Sequence, residues 1–194
     1  MNDAEVIAGL KKGNQVVFKN LVELYQVPLI RLCKGFLHHD ADAKDMVQET
    51  FIEVFESIHQ FRGESRLSTW IYRIAVNKSL NLIRRNKQRR WLISLEALVT
   101  PRNAEQGPAL PDNSYDQPGY LMEDREKAKR IRKAIDTLPE NQRIAFILSK
   151  YQELSYREIA EVMEISLASV ESLLHRAKSN LQKKLFTLYK KNLL

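Results

Sequence analysis

Apolar residues along this chain return at three- and four-residue steps, and no strict apolar–polar alternation lasts beyond a few positions. In LVELYQVPLIRLCKGFL, residues 21–37, the stripe is Leu21, Leu24, Tyr25, Leu29, Leu32, Cys33 and Phe36. That spacing predicts a helix, and Pro28 inside it is expected to kink or break it. Asp42 to Phe55 repeats the pattern with Met46, Val47, Thr50, Phe51, Val54 and Phe55, leaving acids on the other face. A further helix is expected from Ser68, with Trp70, Ile71, Ile74, Ala75, Leu80, Leu82 and Ile83 apolar. The fold class is all-α.

The last third carries start signals as well as stripes. Thr137–Glu140, TLPE, has the form of a capping box and precedes Ile144, Ile147, Leu148 and Tyr151. Ser155–Glu158, SYRE, repeats that form ahead of Ile159, Ala160, Val162 and Met163. Ser166 offers a third cap, for a longer helix with Val170, Leu173, Leu174, Ala177 and Leu181 on its buried side. A short helix, a tight turn with Ile165 inside and a long helix make a helix-turn-helix. Its second helix turns Ala168, Ser169, Glu171, Ser172, His175, Arg176 and Lys178 outward. Small residues allow close approach to DNA, hydroxyls can hold phosphate, and Arg176 and Lys178 add positive charge. Periodicity alone also allows a two-helix packing element with solvated polar faces.

Composition narrows this picture. Six glycines and six prolines in 194 residues favour helix over a loop-rich sheet protein, and four of those prolines fall between Thr100 and Gly119. Proline lacks an amide donor and restricts its predecessor, so that stretch reads as an extended tether. Two domains are therefore expected, 1–95 and 123–194, joined by a flexible acidic linker, 96–122. One cysteine, Cys33, excludes an internal disulfide and multi-cysteine metal sites. With no signal-like start and no membrane-length apolar run, a soluble cytoplasmic protein is expected.

The net charge of +7 is unevenly distributed. Residues 1–60 carry −3, 61–91 carry +8, 92–124 carry −5 and 125–194 carry +7. Two basic blocks separated by acid suggest two grips on a polyanion. In the first block Phe61, Trp70 and Tyr72 are interleaved with Arg62, Arg66, Arg73 and Lys78, ahead of five basic residues among the seven from Arg84 to Arg90. Aromatic faces stack on unpaired bases while Lys and Arg neutralise phosphates, the combination used by single-strand binders. Gly63 permits a sharp turn near a ligand. For Trp70 alone, core packing is the simpler expectation.

The acids Asp40, Asp42, Asp45, Glu49, Glu53 and Glu56, with His38 and His39 nearby, raise the question of a metal site. They are spaced around a helix rather than converging. A histidine–aspartate hydrolase needs another His upstream, whereas His59 and His175 lie downstream. A solvated or protein-docking face is the better reading. No phosphate-binding loop, GxGxxG or GxSxG occurs, so neither an enzyme nor a cofactor or metal is expected.

The segment DADAKDMVQETFIEVFESIHQFRGESRLSTWIYRIAVN, its basic run, and LPENQRIAFILSKYQELSYREIAEVMEISLASVESLLHRAKSNL together resemble the extracytoplasmic-function (ECF) group of sigma-70-type RNA polymerase sigma factors. The resemblance implies a non-catalytic subunit that binds core polymerase and promoter DNA. Asp45, Gln48, Glu49 and Phe51 would dock on the clamp helices of the largest subunit, and the flap of the second-largest subunit is a further expected partner. Phe61, Arg62, Gly63, Glu64 and Ser65 match the loop that captures a flipped base of the −10 element. Trp70, Tyr72, Arg73, Ala75, Asn77 and Lys78 fall on the helix contacting that element, with Arg84 and Arg85 beyond. Ser166, Ala168, Ser169, Glu171, Ser172, His175, Arg176 and Lys178 would read the −35 element. An anti-sigma factor is implied as well. The family often carries Lys or Arg where Glu171 stands and Arg where Leu174 stands, so an altered upstream preference is expected. The rival readings are a helix-turn-helix regulator working without polymerase and a helical scaffold binding only proteins.

Overall fold

The computed structural model describes residues 3–37, 39–99 and 122–190. All regular structure among them is helical, and the chain divides into two compact units, one on either side of residues 113/114. The proline-rich stretch from Thr100 to Gly119, on which the linker expectation rests, lies outside the described residues.

The first unit holds four helices: α1 (Asp3–Lys11), α2 (Gln15–Leu37), α3 (Asp40–Ser57) and α4 (Leu67–Val99), with a 3-10 turn at Ile58–Gln60. A Cβ on Gly9 would stand 2.8 Å from a methyl of Val17, so glycine lets α1 lie close on α2. Asn14 begins α2, its Oδ1 accepting from the N–H groups of Val16 and Val17 at 3.0 and 3.3 Å. α2 runs unbroken through Pro28. An interior proline costs a helix about 3 kcal/mol. Leu29, Leu32 and Cys33, all fully buried, follow Pro28 and anchor that half of α2 against α3 and α4. Packing outweighs propensity here.

The stripes on α3 and α4 form the rest of this core: Met46, Val47, Thr50, Phe51 and Val54 from α3, and Trp70, Ile71, Ile74, Ala75, Val76 and Leu80 from α4. Buried Thr50 donates to the Met46 carbonyl at 2.6 Å and Ser79 to that of Ala75 at 2.8 Å, so neither hydroxyl is stranded. The apolar stripe read from sequence is wider than the buried one. Leu24 and Phe55 belong to it by spacing yet are 67% and 49% exposed. α4 runs to Val99, past the boundary read at residue 95.

The second unit comprises α5 (Met122–Asp136), α6 (Glu140–Tyr151), α7 (Tyr156–Met163) and α8 (Leu167–Lys190), with α8 packed against the other three. Ile144, Ile147, Leu148, Ile159, Val162, Val170, Leu174 and Ala177 form its centre. Asn180 donates to Gln142 at 2.9 Å, tying α8 to α6. The Thr137 capping box does not form. The Thr137 hydroxyl instead donates to the Ala134 carbonyl at 2.7 Å, closing α5, and α6 starts from Pro139 without a side-chain cap. Tyr151, expected on the buried stripe, is 57% exposed at the end of α6.

Candidate nucleic-acid and polymerase interfaces

The helix-turn-helix is fixed by its caps. The Ser155 capping box is complete: the Glu158 N–H donates to Ser155 Oγ at 3.3 Å, and the Ser155 N–H donates back to the Glu158 carboxylate at 2.9 Å. Glu164 then adopts a left-handed conformation, φ +55°, and the Ile165 N–H bonds the Ala160 carbonyl at 3.1 Å, which ends α7 and turns the chain. Ile165 is half-buried in that turn. Ser166 caps α8 by accepting from the Ser169 N–H at 3.2 Å.

From that start α8 presents Ala168, Ser169, Glu171, Ser172, His175 and Arg176 on its exposed side, with Ser166 exposed at the cap. The Arg176 Nε–H rests on the Ser172 carbonyl at 3.3 Å, holding the guanidinium along the helix. Leu174 is 2% exposed, so the charge expected there by analogy falls on a core position; Leu173, half-buried, stands beside the reading face instead. Glu171 is thus the only acidic side chain of the exposed set.

Lys178 is exposed but lines a different feature. An open apolar groove of about 540 Å³ runs between α6 and the C-terminal half of α8, bounded by Phe146, Lys178, Leu181, Leu185, Phe186 and Tyr189. Phe186 and Tyr189 are 57% and 68% exposed. The aromatics that recur beyond the helix-turn-helix, Phe186 and Tyr189, are the sequence signal for this extension of α8.

In the first unit the structure separates candidates that the sequence grouped together. Asp45, Gln48 and Glu49 are exposed along α3, at the one-turn spacing that puts them on one face. Phe51 is not on that face: it is buried in the core. The exposed apolar residues are Ile52 and Phe55, the latter edge-to-face on Phe18 with ring centroids 5.2 Å apart. Phe55 sits within the apolar stripe, so its exposure was not legible, whereas Ile52 lies off that stripe and its place outside the core was a signal for the face.

Between the 3-10 turn and α4, Arg62, Gly63 and Glu64 are exposed, Ser65 is half-buried, and Gly63 takes φ +77°, which glycine alone adopts freely. Arg62 and Glu64 approach to 3.9 Å, a weak contact between exposed groups. The loop is held at its root. Phe61 is buried and packs on Trp70, centroids 5.0 Å apart, and Lys11 of α1 donates to the Phe61 carbonyl at 3.0 Å.

Trp70, Tyr72 and Ala75, assigned to DNA by resemblance, are 8%, 8% and 0% exposed. Their side chains pack inside this unit, so they support the surface rather than form it. Tyr72 meets Tyr25 edge-on at 6.4 Å, and burial raises both phenol pKa values; Asp3 raises that of Tyr25 further. Of the α4 residues assigned to DNA, Asn77, Arg84 and Arg85 are exposed and Arg73 and Lys78 are half-buried. Lys78 is drawn to α3 by an ion pair with Glu53 at 2.7 Å.

His39 lies 3.7 Å from Asp42 at the start of α3. His38 lies outside the described residues. Among the described residues, no three His, Cys, Asp or Glu side chains gather into a metal-binding group, and no helix is long and apolar enough to cross a membrane.

A helical unit that carries a basic helix behind an aromatic-rooted loop, followed by a helix-turn-helix unit, is the arrangement of a nucleic-acid-binding protein. Comparison with known proteins gives the family. Residues 21–89 match the family model for Sigma-70 region 2, and residues 128–181 match that for Sigma-70, region 4. The ECF RNA polymerase sigma-E factor of Salmonella typhimurium is 33% identical over 184 residues, which cover 95% of this chain and 94% of that protein. The RNA polymerase sigma-H factor of Pseudomonas aeruginosa is 32% identical over 187 residues, 94% and 93% of the two chains. Among solved structures, CnrH in complex with the cytosolic domain of CnrY aligns with TM-score 0.70 at 23% identity, over 95% of this chain and 97% of that one. The sigma factor RpoE of Bartonella quintana, co-crystallised with the anti-sigma factor NepR, aligns with TM-score 0.63 at 23% identity, over 87% and 96%. The chain belongs to the ECF group of the sigma-70 family and is an RNA polymerase sigma factor.

Proposed function

We propose that this chain programs core polymerase through two separate DNA grips and a docking face on α3, and that it has no catalytic chemistry of its own. The observation that carries this reading is the division of surfaces within the first unit. Asp45, Gln48, Glu49, Ile52 and Phe55 share the exposed side of α3, while the 62–65 loop and the basic side of α4 carry the nucleic-acid residues. The acidic and apolar face suits the clamp helices of the largest polymerase subunit. Phe51 stiffens that face from behind.

Duplex opening begins at the loop. Extruding a base costs a few kcal/mol of unstacking and unpairing. Arg62, Gly63, Glu64 and Ser65 would receive the flipped base of the −10 element on a rigid root, because Phe61, Trp70 and Lys11 fix where the loop begins. Preorganisation lowers the ordering cost of capture. Arg73, Asn77, Arg84 and Arg85 then carry the exposed strand by phosphate and base-edge contacts, and Tyr72 and Ala75 hold α4 in place for them.

In the second unit, α8 enters the major groove of the −35 element through Ser169, Glu171, Ser172, His175 and Arg176. The Ser166–Ala168 start of α8 lies near the backbone. The apolar groove between α6 and α8 fits the flap of the second-largest subunit. Its rim carries Lys178, which this reading removes from base contact. Residues 96–122 serve as the tether between domains 1–95 and 123–194, and the protein works in the cytoplasm, where polymerase acts. An anti-sigma factor would compete for the α3 face; the similar sigma factor RpoE is held by the anti-sigma factor NepR.

Run-off transcription with purified core polymerase tests this reading. A promoter-dependent transcript that appears only when the chain is added is expected. Duplex binding without transcription would instead make it a free-standing regulator, and no DNA affinity even at low salt would make it a protein scaffold.

A further inference from the structure

Lys78 stands on α4 among residues assigned to DNA, yet its charge is turned to the neighbouring helix. Its Nζ lies 2.7 Å from Glu53 Oε2 and 3.7 Å from Glu49 Oε2, and its side chain is only 22% exposed. Glu49 and Glu53 are one turn apart on α3, a spacing at which like charges repel. One ammonium between two carboxylates leaves this cluster with a net charge of −1, which does not attract phosphate. It does hold Glu49 and Glu53 in fixed positions, and Glu49 is one of the exposed acids of the docking face.

We propose that Lys78 is a positioning residue for polymerase docking: by bridging Glu49 and Glu53 it fixes the Glu49 carboxylate and locks α3 to α4. This rests on the docking role of α3 proposed above. The shared core already joins the docking helix to the promoter-melting helix, and the bridge fixes the docking carboxylate on that one piece, so that where polymerase seats α3 determines where α4 meets the single strand. Pairs with partners this exposed add little to global stability. The consequence of losing the bridge is therefore expected in binding, not in folding.

The test uses the full chain, core polymerase and a forked promoter DNA with a single-stranded −10 segment. Core affinity is measured by fluorescence anisotropy for the wild type, Lys78→Met, Lys78→Arg, Glu49→Gln and the Lys78→Met/Glu49→Gln pair. Lys78→Met is expected to weaken core binding by about three- to tenfold, the lower part of the range for coupled neighbours, and to add nothing on the Glu49→Gln background. Lys78→Arg restores the affinity. For holoenzyme on the forked DNA, the slope of log affinity against log salt stays at the wild-type value in Lys78→Met.

A slope reduced by about 0.7–0.9, one phosphate contact, with unchanged core affinity makes Lys78 a DNA residue and overturns the proposal. Full additivity of Lys78→Met and Glu49→Gln overturns it equally. If Glu49→Gln leaves core affinity intact, the docking role of α3 fails and takes the inference with it. Where Lys78→Met lowers the melting temperature, Glu53→Gln is the second variant, removing the bridge from the α3 side. It must then reproduce the loss of core affinity, and failure to do so overturns the proposal.

Discussion

The two units of this sigma factor place their candidate DNA residues on opposite plans. In the second, the candidate reading residues of α8 from Ala168 to Arg176 are exposed, and the core beneath them is made of other residues. In the first, four of the candidate DNA residues, Phe61, Trp70, Tyr72 and Ala75, lie inside the hydrophobic core, and the candidates that reach solvent are on the 62–65 loop and the outer side of α4. Reading a closed groove needs side chains appended to a stable helix. Opening a duplex, the role proposed for the first unit, needs a surface that does not yield, and aromatics shared between core and loop would supply that stiffness.

The contrast breaks most directly at Trp70. Trp70→Ala removes a core side chain and the partner of Phe61, so the loss in stability should be about 3–5 kcal/mol. Urea denaturation of the full chain, followed by a probe in the first unit, measures it. A loss below about 1 kcal/mol would mean that Trp70 is a surface residue, and the two units would then share one plan.

Core and site were legible to different degrees for a related reason. Periodicity located the helices, and two of the three serine or threonine caps, at Ser155 and Ser166, formed as read. Thr137 did not, because the carbonyl of Ala134 three residues back offered its hydroxyl a nearer use. Pro28 was expected to kink or break α2, yet the helix continues through it, because burial of the following turns depends on the whole unit and not on local propensity. Phe51 and Phe55 show the limit most clearly. Four residues apart on the same helix, one is 7% and the other 49% exposed, and a stripe has no marker for where the neighbouring helix ends. The reverse held for Lys78: its charge was visible in the sequence, but its partners on another helix were not.

A second way to sharpen the comparison is pH. Burial pushes the Cys33 thiol in the first core up to about 11 from 9.0, and Tyr25 and Tyr72 are raised as well. A thiol whose pKa is higher folded than unfolded ionises first in the unfolded chain. Its contribution is complete below pH 9 and is lost as pH rises toward 11. At about 1.4 kcal/mol per unit this amounts to roughly 2–3 kcal/mol. Urea midpoints at pH 8 and pH 11 should therefore fall further for wild type than for Cys33→Ala, and only in the first unit.

In the second unit, stability can be altered without touching recognition. Ser155→Ala removes the capping box ahead of α7 and should cost about 1 kcal/mol, read as a lower melting point of that unit. Because Ser155 begins α7 and the reading residues belong to α8, promoter preference should be unchanged wherever the unit remains folded. A change in preference at full folding would show that α7 reads DNA as well.

The smallest effect on stability belongs to Glu171→Lys, and it tests the appended-residue plan most strictly. Glu171 is exposed on α8 and carries the only negative charge among the candidate reading residues, so replacing it should shift stability by no more than about 0.5 kcal/mol. Recognition should change in two separable ways. A carboxylate accepts from a cytosine amine, whereas lysine donates to guanine O6 and N7, so the preferred −35 base at the facing position should change identity. The added cation should also steepen the salt dependence by about one phosphate contact if it reaches the backbone instead. Selection of −35 sequences by wild-type and Glu171→Lys holoenzymes separates the two: a new base at one position means Glu171 reads sequence, and uniformly tighter binding means its charge only weakens backbone attraction. An unchanged sequence profile with unchanged affinity would remove Glu171 from the interface, and α8 would have to be rotated about its axis relative to the groove.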